Sequence, residues 1–158
     1  MNISFTGHRD FDAERFMELL RSHIVRFSQC GSVTFWSGMA VGFDLAAAEC
    51  VLELRDEGYD LKLCCVVPYV GQSQFFNRVD LERYDLVLRR ADRVVTLAAD
   101  YTPDIFYRRN DYLVEVADHI IAYYDGQARG GTAYTIKQAH KKRVAVDNIY
   151  PQQQLSLF

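Results

Sequence analysis

The sequence predicts an α/β protein: a Rossmann-like, doubly wound, mostly parallel sheet in a single domain. Three observations predict it. Short β-prone runs alternate with stretches of helical spacing along the chain. The third run, Leu61 to Val67, is almost wholly apolar, as expected of a parallel strand covered on both faces. The length, 158 residues, suits one domain, and no linker or internal repeat divides it.

The elements follow in order. Ile3 to Thr6 reads as a strand that ends at Gly7. Residues 12–28 carry Phe16, Leu19, Leu20, His23 or Ile24, and Phe27 at helical spacing. Ser32 to Trp36 is β-prone and stops at Ser37-Gly38. Phe43 to Asp56 reads as a helix whose Ala46, Ala47 and Ala48 let it lie close to a sheet. Pro68 is expected to end the third strand. A helix over 77–90 places Leu81, Tyr84 and Leu88 on one face, and Arg93 to Leu97 is the fourth strand. After a polar loop, a helix running to Ala117 carries Phe106, Asn110, Leu113 and Ala117 as a stripe. His119 to Tyr124, a helix over 131–142 and Val144 to Val146 complete the alternation. The domain is expected to span 1–150, with 151–158 as a flexible tail.

Composition narrows the function. About half the residues (49%) are apolar and a quarter (25%) charged, the balance of a soluble globular protein. No apolar run approaches the roughly 20 residues of a membrane helix. The opening MNISFTGHRDFD lacks the basic and apolar regions of a signal peptide. A net charge of −3 gives no bulk drive toward nucleic acid, so direct DNA binding is not expected. Cys30, Cys50, Cys64 and Cys65 lack zinc-site spacing, and no metal site is expected. Adjacent Cys64 and Cys65 point to opposite faces of a strand and read as small core hydrophobes. Reduced cysteines fit a cytoplasmic setting.

In an open parallel sheet, ligands bind beyond the carboxyl ends of the strands. The segments there are Thr6-Gly7-His8-Arg9, then Ser37 to Asp44 with Gly38, Met39 and Gly42, then Pro68-Tyr69 with Gly71-Gln72, then Asp125-Gly126 followed by Arg129-Gly130-Gly131-Thr132. Glycine permits close backbone approach, and a helix start offers free N–H groups to an anion. Several such turns along one edge point to a phosphate-bearing ligand. Gly130-Gly131-Thr132 is the strongest candidate for a phosphate cradle, where Thr132 could cap the helix, bond the phosphate, or do both. Asn110 is polar on an apolar face and needs a partner, either backbone or ligand. Arg109, with His8 and Arg9, could serve an anion. Asp44 either caps its helix or holds a ribose hydroxyl.

These motifs recur together elsewhere. TGHR, SGMAVGFDLAAAE, VVPY with Gln72 and Gln74, RRNDYLVEVADHIIAYYDG and RGGTAYTIKQA cover nearly the whole chain. The set is similar to the SLOG superfamily, and most closely to its YpsA-like branch. That superfamily also holds the DprA DNA-processing proteins and the LOG cytokinin-activating hydrolases. The SG-x-A-x-G-x-D segment looks like the DprA stretch. The resemblance implies a Rossmann-like fold, a nucleotide or nucleotide-derived ligand such as an NAD- or ADP-ribose-like molecule, and self-association into a homo-oligomer. LOG hydrolases carry PGGxGTxxE, and its glutamate falls at Thr135 here, with Ile136 next. Neither can act as a carboxylate, so binding is better supported than LOG-type hydrolysis. Hydrolysis of an N-glycosidic or phosphate bond is the alternative, with Asp44 or Glu49 as conceivable carboxylates from another loop.

Gln154-Leu155-Ser156-Leu157-Phe158 resembles the short peptide by which bacterial replication and repair proteins dock on the β sliding clamp. The resemblance implies a DNA-metabolism factor tethered to the clamp as a further alternative. Leu155, Leu157 and Phe158 packing back on the domain is the structural alternative.

Overall fold

The alternation resolves into six strands and five α-helices in a computed structural model that describes residues 1–151. The strands are β1 (Asn2–Gly7), β2 (Val33–Ser37), β3 (Leu61–Tyr69), β4 (Arg93–Ala98), β5 (His119–Tyr123) and β6 (Ala145–Asn148). The helices are α1 (Ala13–Ser28), α2 (Phe43–Asp56), α3 (Arg78–Arg90), α4 (Ile105–Val116) and α5 (Gly131–Lys141). A short 3₁₀ turn spans Gln72–Phe75. Residues 152–158, which hold the clamp peptide and all of the expected tail but Pro151, lie outside the described residues.

All neighbouring strands are parallel, in the order β4-β3-β2-β1-β5-β6. The chain builds outward from β1 to β4, then returns to add β5 and β6 on the other side of β1. The order therefore reverses between β1 and β5, which is the position where open α/β sheets hold ligands. Right-handed crossovers put helices on both faces. The first face packs α1, α2 and α3 through Phe16, Leu20, Ile24, Val51, Tyr84 and Val87. The second packs α4 and α5 through Leu113, Val114 and Ala139.

Strand periodicity assigns side chains to these faces. Phe35 and Cys65 enter the first core, while Trp36 and Cys64 enter the second. Burial holds the Cys65 thiol protonated, with its pKa pushed up to about 12. Each buried large side chain, such as Phe5, Leu20 or Phe35, contributes roughly 1.5–3 kcal/mol of transfer free energy. The alanines of α2 are buried and bring that helix close against the sheet.

Four expectations need correction. Pro68 does not end β3, because pairing with β4 passes over it and resumes at Tyr69 with Ala98. Pro lacks only its own N–H, so the strand survives by skipping that one ladder position. Leu19 is 42% exposed, since Phe16, Leu20 and Ile24 suffice to face the sheet. In α3, Val87 is buried beside Tyr84, and Leu88 is only half-buried. In α4 the buried positions are Ile105, Arg109, Asn110, Leu113 and Val114. Phe106 leaves that face to pack with Tyr69 and Tyr101.

Among the described residues, no helix is long and apolar enough to cross a membrane.

Gly42 is the tightest point of the scaffold. Its φ is +96°, and a Cβ there would meet the Arg9 carbonyl oxygen at 2.1 Å. Gly58 has a similar φ of +104° but open space around it. Gly42→Ala should therefore cost about 3 kcal/mol, combining strain with overpacking. Gly58→Ala should cost only about 1 kcal/mol. Urea unfolding compares the two; equal costs would contradict the close approach.

Candidate functional site

A cavity of about 790 Å³ opens along the carboxyl edge of the sheet. That volume lies within the usual range for small-molecule sites. It is lined from every strand of the first half and from β5. Gly7, His8 and Arg9 follow β1, and Asp44 follows β2. Tyr69, Gln72, Phe75 and Phe76 end or follow β3. Pro103, Phe106, Tyr107, Arg109 and Asn110 follow β4, and Gly130, Gly131 and Thr132 follow β5.

The wall beside β2 is held from behind. Ser37 Oγ donates to the Asp44 carbonyl at 2.9 Å and accepts the Met39 N–H at 3.2 Å. This fixes Met39 at a φ of 61°, a left-handed conformation unusual for a side chain of its kind. Gln72 Nε2 donates to the carbonyls of Gly38 and Met39 at 3.4 and 3.3 Å. The Tyr84 hydroxyl, held protonated by burial with a pKa of about 12, donates to Gln72 Oε1 at 3.0 Å and sets its orientation. Ser37, Gly38, Met39 and Gly42 thus build the loop and do not line the cavity. Pro68 does not line it either; Tyr69 takes that place.

Arg109 is a scaffold residue as much as a cavity residue. It is 7% exposed, and its Nη1 donates to the Gly38 carbonyl at 2.9 Å. Its Nε donates to Asn110 Oδ1 at 2.9 Å. Asn110 Nδ2 in turn reaches the Gly131 carbonyl at 3.4 Å, so its partners are protein groups. The expected free anion clamp is therefore half committed: two donors are spent on protein oxygens. His8 is also engaged, since its Nε2 accepts the Asp125 N–H at 2.9 Å. Arg9, by contrast, is exposed on the cavity and makes no ion pair among the described residues.

Three helices that border the cavity, α2, α4 and α5, start without side-chain caps among the described residues. α2 begins after Gly42 and α5 after Gly130, neither with a capping hydrogen bond. Where the helix start is filled, a side chain does it: Asp12 accepts from Arg15 N at α1, and Asn77 accepts from Asp80 N at α3. Neither Asp44 nor Thr132 makes a capping hydrogen bond among the described residues. At α5 the first-turn N–H groups stay open to an anion.

Asp44 is the least satisfied polar group of the cavity. It is 6% exposed, and its Oδ1 is buried with no hydrogen-bond partner among the described residues. Burial raises its pKa to about 6, against the opposing pull of the Arg109 charge and the Ala40 backbone amide. Asp44 and Arg109 feel one another but form no salt bridge, so the cavity keeps a separated buried charge pair.

The LOG glutamate position is spent on the fold. Thr135 is buried, and its Oγ1 donates to the Gly131 carbonyl at 2.9 Å. Ile136 packs in the second core. Glu49 lies outside the cavity and pairs with Arg83. Asp44 is thus the carboxylate that the earlier alternatives place on the cavity.

The aromatic wall was not read from the sequence. Tyr69, Tyr101 and Phe106 stand in mutual edge contact, with ring centroids 5.7 to 6.2 Å apart. Phe75 is 87% exposed beside them. The available signal was aromatic residues clustered just after two strand ends.

An all-parallel sheet with its cavity at the β1/β5 switch defines a Rossmann-like protein with a small-molecule-sized site. The chain belongs to the YpsA family: that family's model, described as the YspA SLOG family, matches residues 2–157. It is 28% identical over 152 residues to a UPF0398 protein of Bacillus thuringiensis (strain Al Hakam), covering 89% of this chain and 83% of that protein. A UPF0398 protein of Bacillus cereus (strain Q1) matches to the same extent. Among solved structures, DNA processing protein A from Helicobacter pylori superposes with a TM-score of 0.70 at 16% identity, covering 99% of this chain and 67% of that one. The work on that protein concerns its single-stranded DNA binding; at this identity the likeness shows the shared fold.

The raised pKa of Asp44 makes a stability prediction. In the unfolded chain the carboxyl ionises near its ordinary 3.8, but in the fold only near 6. Between these values the unfolded state releases its proton first, so this group lowers stability as pH rises. The full effect is about 3 kcal/mol. Asp44→Asn should therefore gain stability relative to the parent protein between pH 3.5 and 7. Parallel stability–pH curves for the two would contradict the burial of an ionisable carboxyl.

Proposed function

We propose that this protein binds a phosphorylated, nucleotide-type small molecule in the cavity at the β1/β5 switch, with the phosphate at the start of α5. The observation that carries the reading is the open α5 terminus at Gly130-Gly131-Thr132 on the cavity. Its N–H groups and the exposed Arg9 supply an anion site. The Thr132 hydroxyl adds a donor. The ligand is bound without LOG-type cleavage, because Thr135 replaces the carboxylate that chemistry needs. NAD-like and ADP-ribose-like molecules fall within this class. The family resemblance suggests a homo-oligomer, and the cysteine usage a cytoplasmic setting.

Gly131→Asp tests the reading cleanly. A Cβ at Gly131 meets only Asn110 Nδ2, at 3.4 Å. A carboxylate at a helix start also suits the fold. Calorimetry with AMP, NAD and ADP-ribose should find a ligand for the parent protein. Gly131→Asp should weaken that ligand by about tenfold or more, the size of one lost charge-assisted contact, with unchanged thermal stability in its absence. No binding by any of the three, or undiminished binding to the variant, would overturn the proposal.

A second reading rests on Gln154-Leu155-Ser156-Leu157-Phe158, which matches the clamp-docking peptide over all five positions. It makes this protein a partner of the β sliding clamp through apolar anchors, with no basic DNA-binding face of its own. Removal of residues 154–158 should abolish clamp binding in a surface-immobilised assay, and unchanged affinity would sink the reading.

A further inference from the structure

We infer that the cavity takes a free ribonucleotide lengthwise along the sheet edge, and that Asp44 makes the ribose hydroxyls a requirement. The inference rests on the proposed nucleotide reading and goes beyond it by assigning the ring and sugar subsites.

The sheet order sets the sequence of chemistry along the cavity. At the β3 end stand the aromatic side chains Phe75, Phe106 and Tyr69, whereas Tyr107 packs on Tyr134 of α5 at the other end. Next, behind β2, comes Asp44. Beyond β1 with its Arg9, the far end after β5 holds Gly130, Gly131 and Thr132. Strands lie about 4.8 Å apart, so the aromatic end at β3 and the α5 terminus beyond β5 are separated by roughly 14 Å. A bare phosphate cannot span that distance, but a ring, a sugar and a phosphate in a row can.

Phe75 is 87% exposed and has no aromatic partner among the described residues, while Phe106, packed on Tyr69 and Tyr101, keeps 37% of its surface open; both border the same cavity. Exposed aromatic faces gathered on one wall suit a planar heterocycle, because stacking needs no particular base.

Asp44 limits what can sit in the middle. Its unpartnered Oδ1 is buried, and such an oxygen is costly until a donor reaches it. A neutral hydroxyl satisfies it without adding charge beside Arg109. A nucleotide's ribose presents two hydroxyls at that point of its length. A DNA strand presents none: the 2′ hydroxyl is absent and the 3′ oxygen is esterified. Its next phosphate would also bring negative charge beside the carboxylate. Asp44 therefore favours a free ribonucleotide over single-stranded DNA.

Calorimetry at pH 7.5 tests this with the 5′-monophosphates of the four bases, each as the ribonucleotide and the 2′,3′-dideoxynucleotide, and with a dT oligonucleotide. The parent protein should bind at least one ribonucleotide about tenfold or more tightly than its dideoxy counterpart, the loss expected when a buried charged acceptor goes unmet. Asp44→Asn, checked for folding by thermal unfolding, should narrow that ratio to about threefold or less by making the acceptor neutral. Phe75→Ala should weaken both sugars alike and leave the ratio unchanged. Equal binding of ribo and dideoxy forms to the parent protein would overturn the inference while leaving the nucleotide reading intact. An unchanged ratio in Asp44→Asn would remove Asp44 from the role. Binding of the oligonucleotide alone, or of no mononucleotide, would overturn the inference, and a failure of NAD and ADP-ribose added to the same panel would overturn the reading beneath it.

Discussion

The structure around the cavity depends on one buried cation, Arg109. Its Nη1 holds the Gly38 carbonyl and its Nε holds Asn110, so one side chain ties α4 to the turn after β2. The fit is close: a Cβ at Gly38 would lie 2.6 Å from Arg109 Cδ. That is why this turn carries glycine at that position, independently of any ligand. Burial lowers the Arg109 pKa, and the nearby Asp44 carboxylate opposes the loss of its charge. A buried cation left without partners is strongly destabilising, so the loop and the arginine stabilise each other.

From that anchor the rest of the site follows. The same turn, pinned by Arg109, Ser37 and Gln72, starts α2 and fixes Asp44 on the cavity wall. Asn110 carries the constraint on to the Gly131 carbonyl at the start of α5. A single hydrogen-bonded chain therefore links the β2 turn, α4 and the α5 terminus. It holds the starts of α2 and α5 and the Asp44 carboxylate in fixed relation, and so the site is preorganised before any ligand arrives.

Much of the fold was legible in the sequence because its signals are local. The apolar run at Leu61 to Val67 and the opposite orientation of Cys64 and Cys65 follow from strand periodicity alone. Glycine turns after β1, β2 and β5 marked the edge of the sheet where the cavity opens. The roles within that edge were less legible, because they depend on which elements become neighbours. Gly42 and Gly38 read equally well as ligand or packing residues until Arg9 and Arg109 are placed against them. Arg109 read as a free clamp because its Gly38 partner lies 71 positions away. Phe106 matched a helical stripe, yet α4 turns it toward Tyr69 and Tyr101, aromatics from two other segments. The aromatic wall could not be seen from any one stretch of sequence.

The central claim is that one ligand joins the α5 terminus to the Asp44 carboxyl across the cavity. Nuclear magnetic resonance on labelled protein tests it most directly, following the amides of Gly131 and Thr132 and the side-chain carboxyl carbon of Asp44 during a titration with AMP. The account predicts that all three signals shift along one saturation curve. Amides that shift while the Asp44 carbon stays still, or shifts confined to surfaces away from the cavity, would contradict it.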